Sequence, residues 1–225
     1  MRADADFIIH SSSDLSSLVD DIGFLPLLKN SIPGFSVEEH TPSELWFVDG
    51  VEGPWEWKGP VIQETGCAYG KFFSGKAGFI SRRWFPDFAN YRRDGYDFDA
   101  RCDDGLARHQ DKVVYDILLE YHSLISREWR MLSPFTKRSE FDAIVSHLQM
   151  LCYVTTVDFE YPVDRNGNAY GWGLARYETP EEHFGSAFTD HVYSVKPEES
   201  EKRIASYLKT IVPEINEKQI RKITG

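Results

Sequence analysis

Arg138-Ser139-Glu140-Phe141-Asp142-Ala143-Ile144-Val145-Ser146-His147-Leu148, followed shortly by Cys152-Tyr153-Val154-Thr155-Thr156-Val157-Asp158-Phe159-Glu160-Tyr161, is the stretch in which the hydrophobic period changes. Phe141, Ile144, Val145 and Leu148 fall at i, i+3, i+4 and i+7, the spacing of one helix face. Ser139 and Asp142 stand at capping-box spacing before it. From Cys152 onward the alternation is two-fold, which predicts a strand. Asp164-Arg165-Asn166-Gly167 supplies residues that tolerate positive φ, and a second alternating run from Asn168 to Glu178 returns the chain as a hairpin.

Working outward, Val113, Val114, Ile117, Leu118 and Tyr121 form the stripe of a first helix. Ile125, Trp129 and Leu132 mark a second, stopped by Ser133-Pro134. Three helices and then a hairpin over residues 111–178 is the order of a winged helix, a helix-turn-helix variant whose third helix commonly enters the major groove. The predicted class is therefore α+β. A winged-helix domain spans 106–195, an N-terminal α/β layer with a second hairpin spans 1–105, and a C-terminal helical segment spans 196–225.

Charge opposes the usual docking mode. Arg138, Arg165 and Arg176 stand against Glu140, Asp142, Asp158, Glu160, Asp164 and Glu178, a net of −3 where phosphate contact needs cations. The whole chain of 225 residues carries −11, which excludes a general nucleic-acid coat. Its 41% hydrophobic and 14% aromatic content describe a globular protein with a sizeable core. The acidic start Met1-Arg2-Ala3-Asp4-Ala5-Asp6 lacks a signal-peptide pattern, and no apolar run is long enough for a membrane span, so a cytoplasmic chain is expected. Cys67, Cys102 and Cys152 are too far apart to read as a metal cluster.

In the first hundred residues, Ser13 or Asp14 precedes a helix with apolar Leu15, Leu18, Val19 and Ile22, which Gly23 ends. Pro26, Pro33-Gly34, Pro42, Gly53-Pro54 and Gly59-Pro60 then predict a coil-rich cover over 24–60, with one helical turn after Ser36 and a brief strand over 45–48. Residues 67–82 read as a hairpin around Ser74-Gly75-Lys76, and 81–93 as a helix with Pro86 in its first turn. Thr179-Pro180 starts a short helix, and a final one begins near Lys196-Pro197 with Ile204, Tyr207, Leu208 and Ile211 buried.

The positive charge is concentrated in one place. Lys71, Lys76, Arg82, Arg83, Arg92 and Arg93 stand against Asp87 alone, a net of +5, and are interleaved with Tyr69, Phe72, Phe73, Phe79, Trp84 and Tyr91. Such a stretch suits a surface that follows phosphates and offers ring faces for base stacking. The competing expectation is that Asp94, Asp97, Asp99, Asp103 and Asp104 pair these cations off.

Gly53-Pro54-Trp55-Glu56-Trp57-Lys58-Gly59-Pro60, Tyr69-Gly70-Lys71-Phe72-Phe73, Lys76-Ala77-Gly78-Phe79, residues 85–99 and Tyr170-Gly171-Trp172-Gly173 together resemble a group of bacterial proteins labelled AlkZ-related. The resemblance covers most of the chain. It implies distant kinship to the winged-helix DNA glycosylases that excise alkylated bases and unhook crosslinks. Those enzymes are longer, with tandem winged helices and a Gln-x-Gln or Gln-x-Asp motif near the N-terminus. Here the nearest approach to that motif is Gln149-Met150-Leu151, so no catalytic residue carries over.

Base excision needs a polar group to activate water and a pocket that stacks the extruded base. Glu56, Gln63, Asp97 and Asp99 are candidates for the first, and Trp55, Trp57, Tyr69 and Trp172 for the second, each with a structural role as the alternative. No phosphate-binding loop, nucleophile elbow or zinc motif is present, so no cofactor and no metal are expected. The leading reading is a DNA-binding winged-helix protein related to base-excision glycosylases without their recognisable motif. The alternative is a non-enzymatic protein-interaction or regulatory module.

Overall fold

The computed structural model describes residues 7–46, 51–165 and 171–225. The first half contains α1 (Ser12–Ile22), β1 (Phe24–Pro26), α2 (Val37–His40), a 3-10 turn (Ser43–Leu45), α3 (Pro54–Thr65), β2 (Ala68–Phe73), β3 (Lys76–Ile80) and α4 (Phe85–Arg93). Then come α5 (Phe98–Asp103), α6 (His109–Tyr121), β4 (Ser123–Ile125), α7 (Ser126–Leu132), α8 (Arg138–Met150), β5 (Thr155–Glu160) and β6 (Leu174–Glu178). The chain closes with α9 (Pro180–Phe184), α10 (Ser186–Thr189), α11 (Pro197–Ile211) and α12 (Glu217–Thr224).

Among the described residues the strands form one six-stranded sheet in the order β1-β3-β2-β5-β6-β4, with every pairing antiparallel. The fold is thus mixed helix and antiparallel sheet. From α6 to β6 the order is helix, strand, helix, helix, strand, strand, with β4 pairing to β6 through Leu124 and Tyr177. The 67–82 hairpin does not stand apart, because Tyr69 of β2 pairs with Thr156 of β5 and joins it to the same sheet. Its connection is two residues, Ser74 and Gly75, rather than three, and both have positive φ (52° and 80°).

Several expectations need correction. Helix α8 begins at Arg138 with Lys137 as N-cap and no side-chain cap, so Ser139 lies inside the first turn. Asp142 instead pairs with Arg138 one turn back, at 3.4 Å. The coil expected over 24–60 contains β1 and the start of α3. That helix passes through Pro60, and Gly59 before it has no Cβ to oppose the helical conformation that a following proline normally disfavours. Ser43–Leu45 is a 3-10 turn rather than a strand, and residues 47–48 lie outside the described residues. Strand β5 begins at Thr155, because Cys152 takes a left-handed conformation (φ 62°) as the chain leaves α8. Strand β6 begins at Leu174, and the expected Asn166-Gly167 turn lies outside the described residues.

The hydrophobic core is divided in two, and the division does not follow chain order. One core joins α1, β1, α3, β2, β3 and α4 to Phe184, Phe188 and the stripes of α11 and α12, so residues 196–225 pack into the first layer. The second is built from Phe98, α6, Trp129, the α8 stripe, Tyr153 and Val154. Arg93 sits between them, fully buried. It donates to Cys152 O at 2.8 Å, Glu181 Oε1 at 2.6 Å and Tyr193 Oη at 2.8 Å, with Tyr153 and Phe188 rings at 4.5 and 5.1 Å.

Candidate functional site

A groove of about 370 Å³ opens between the helix pair α7 and α8 and the strand β6. Its helical wall carries Arg127 and Arg130, three residues apart on α7, and Arg138, Asp142, Val145 and Gln149 along one face of α8. The far wall is Trp172, Gly173, Leu174, Ala175 and Tyr177, and Lys71 reaches in from β2. Four cations thus surround one carboxylate, Asp142.

Lys71 is placed by the sheet. Its N–H donates to Gln149 Oε1 at 3.3 Å, and its Nζ donates to Ser146 Oγ at 2.9 Å. Gln149 Nε2 donates to Thr156 Oγ1 at 3.2 Å, so the side chain nearest to the glutamine motif ties α8 to two strands. Gly70 permits this closeness, since a Cβ there would meet Gln149 Nε2 at 3.0 Å.

Trp172 is the exposed corner of the groove, 70% accessible. Its ring meets that of Trp55 edge-on at 6.1 Å, and Trp55 meets Trp46 in the same way at 5.8 Å. Gly173 lets this wall close in, because a Cβ would lie 2.9 Å from the Tyr161 ring and 3.1 Å from Phe159 Cβ. Behind Trp55 lies Lys58, half-buried, with Nζ 4.9 Å from the Trp55 ring centre and 4.2 Å from that of Phe159. Burial lowers its pKa to about 8, against the opposing pull of Glu56.

The expected aromatic pocket therefore divides. Trp55 and Trp172 lie together at the surface, whereas Trp57 and Tyr69 belong to the first core. The basic stretch is dispersed as well. Arg93 is internal, with Glu181 and Tyr193 outweighing the burial that works against its charge and holding it above the usual guanidinium range. Arg92 is half-buried, donates to Phe72 O at 2.5 Å and has its pKa lowered by burial. Arg82 and Arg83 remain exposed, beside a separate depression with Asp20, Asp87, His191 and Arg203. Lys76 is exposed at the start of β3, and only Lys71 reaches the groove. Among the described residues, no ion pair within 4 Å links these cations to Asp94, Asp97, Asp99, Asp103 or Asp104, and Arg93 pairs with Glu181 instead. Asp97 caps α5, accepting from Ala100 N–H at 2.7 Å.

Of the candidate polar groups, Glu56 accepts from Gly53 N–H at the start of α3 (2.9 Å), and Gln63 donates to Val157 O (3.0 Å). Among the described residues no cluster of three or more His, Cys, Asp or Glu is arranged to hold a metal. Burial pushes the Cys67 and Cys152 thiols up to about 12, so both remain protonated at neutral pH. No helix among the described residues is long and apolar enough to cross a membrane.

Fold and groove together define a mixed helix and antiparallel-sheet protein with a cation-lined, aromatic-rimmed cleft. The chain belongs to the AlkZ-related family, whose model matches residues 9–225. No curated protein and no solved structure matches it.

Proposed function

We propose that the protein binds DNA, with α6 to β6 forming a winged helix whose groove, rather than the 71–93 stretch as a whole, takes the phosphate backbone. The observation that carries this reading is the convergence of Lys71, Arg127, Arg130 and Arg138 on one groove edged by an exposed tryptophan. Cations neutralise phosphates and release counterions, and a free indole face stacks on a base. Counting charge over 138–178 misses this site because two of its arginines lie on the preceding helix and its lysine on a distant hairpin. Membership of the AlkZ-related family supports a reading tied to DNA. A second, protein-interaction reading draws on Leu119, Tyr121, Met131 and Leu132, apolar side chains left exposed on α6 and α7.

Fluorescence anisotropy with duplex and single-stranded oligonucleotides at two salt concentrations tests the proposal. Replacing Arg127, Arg130 and Arg138 by alanine should weaken binding and flatten the salt slope by about one unit per lost contact. The Arg82→Ala, Arg83→Ala double variant should stay within about two-fold of the parent, since neither residue lines the groove. The reverse ranking moves the interface to the α4 side. Absence of binding by the parent chain at low salt favours the protein-interaction reading.

A further inference from the structure

We propose that Lys58 is an amine nucleophile that condenses with an aldehyde carbon, and that the aldehyde is the ring-opened sugar of a nucleotide lacking its base. This rests on the DNA-binding reading of the neighbouring groove.

The placement of Lys58 is the first support. It lies one turn after Trp55 on α3, and its ammonium faces two aromatic rings. Among the described residues it has no ion-pair partner within 4 Å. Glu56 pulls on its charge and accepts from Gly53 N–H, and Asp158 accepts from Phe159 N–H while facing the neighbouring Gly59. Tyr161 directs its hydroxyl to Trp55 O at 3.4 Å.

Chemistry supplies the second. An amine adds to carbonyls only when neutral. At pH 7.5 a lysine titrating near its ordinary value is neutral in about one molecule in a thousand, whereas one titrating at about 8 is neutral in about one in four. In the condensation the amine lone pair forms a C–N bond as the carbonyl π bond breaks. Nitrogen's first proton passes to the resulting alkoxide to give a carbinolamine, whose hydroxyl then leaves as water with nitrogen's second proton as the nitrogen lone pair closes the C=N bond, and an imine remains. Release of water is favoured where apolar rings surround the nitrogen.

Continuity with the groove identifies the substrate. Trp172 both lines the cationic cleft and touches Trp55, and Trp55 in turn covers Lys58. A backbone held by Arg127, Arg130 and Arg138 would thus lie against Trp172, one ring away from the Trp55 that covers the amine. An intact nucleic acid contains no aldehyde, so the carbon able to react is C1′ of a base-free sugar.

The test incubates the full chain with an end-labelled oligonucleotide carrying a single abasic site, in single-stranded and duplex form. Sodium cyanoborohydride is present to reduce any imine to a stable secondary amine. A covalent band that maps to Lys58 by peptide mass spectrometry and falls at least about ten-fold in Lys58→Arg and Lys58→Gln is the expected result. Thermal melts establish that both variants fold. An adduct of equal yield in these variants, or one mapped to another lysine, overturns the proposal.

Two further arms separate this claim from the groove reading. Normal anisotropy binding of the same oligonucleotide without any adduct overturns the Lys58 proposal alone, whereas no binding at all overturns the groove reading. Acetaldehyde with cyanoborohydride should alkylate Lys58 ahead of exposed Lys71 and Lys76, and should still do so when Arg127, Arg130 and Arg138 are alanine. Alkylation by acetaldehyde with no abasic adduct makes the source a free small aldehyde, and the proposal as stated falls.

Discussion

Arg93 and Lys58 are both cations withdrawn from water, and the protein treats them in opposite ways. Arg93 is surrounded by a carboxylate, a phenol and a carbonyl, so its charge is compensated in every direction that its planar fork offers. Lys58 has two ring faces and no ion-pair partner among the described residues. A compensated buried charge fixes the packing of the elements around it, here the seam between the two cores. One compensated only weakly, by two ring faces and the pull of Glu56, keeps an electrostatic penalty and a more readily lost proton, and is the better candidate for chemistry.

The sharpest way to break this comparison is at Arg93. The Arg93→Met variant leaves Glu181 without its partner and Cys152 O without a donor. It should cost about 3–5 kcal/mol in urea unfolding. Adding Glu181→Gln should recover part of that loss, because the stranded carboxylate is then gone. A cost below about 1 kcal/mol would mean that the two cores hold together without the node.

At Lys58 the sign reverses. The folded-state pKa of about 8 lies below the unfolded value near 10.5, so folding disfavours the charged form. Below pH 8 the full penalty applies, and it fades as pH rises from 8 to 10.5, above which both states are neutral. The Lys58→Met variant should therefore be more stable than the parent by about 3 kcal/mol at pH 7. The difference should shrink toward zero near pH 10.5, when parent and variant are followed by urea unfolding across that range. A gain that is independent of pH would assign it to methionine packing instead.

The sequence distinguishes these two residues poorly, and the reason is physical. Periodicity finds elements whose apolar face repeats, which is why the α8 stripe, the α4 helix with Pro86 in its first turn and the 67–82 hairpin are legible before any coordinates. It fails for α3, because Gly59-Pro60 looks like a break, whereas Gly59, with no Cβ to clash with the proline, lets the helix run through. Lys58 is hidden by the same misreading. Arg93 looks like one of six surface cations because linear charge counting cannot see Glu181, 88 residues away. Arg127 and Arg130 share a helix face and could be paired by spacing alone. Their convergence with Lys71, by contrast, depends on the β2 to β5 pairing, a contact between strands far apart in the chain.

The smallest expected effect sharpens the comparison most. Trp172 is large, but with 70% of its surface accessible it has little apolar contact to lose. The Trp172→Ala variant should leave stability within about 0.5 kcal/mol of the parent, measured by urea unfolding at pH 7. The Trp172 and Trp55 rings meet at a right angle, while Lys58 lies over the Trp55 and Phe159 rings. The pH-dependent difference between Lys58→Met and the parent should therefore persist when both chains also carry Trp172→Ala, with a coupling below about 0.5 kcal/mol. If the difference collapses instead, Trp172 is what keeps water from the amine, and the exposed corner of the groove and the lysine behind it form a single site.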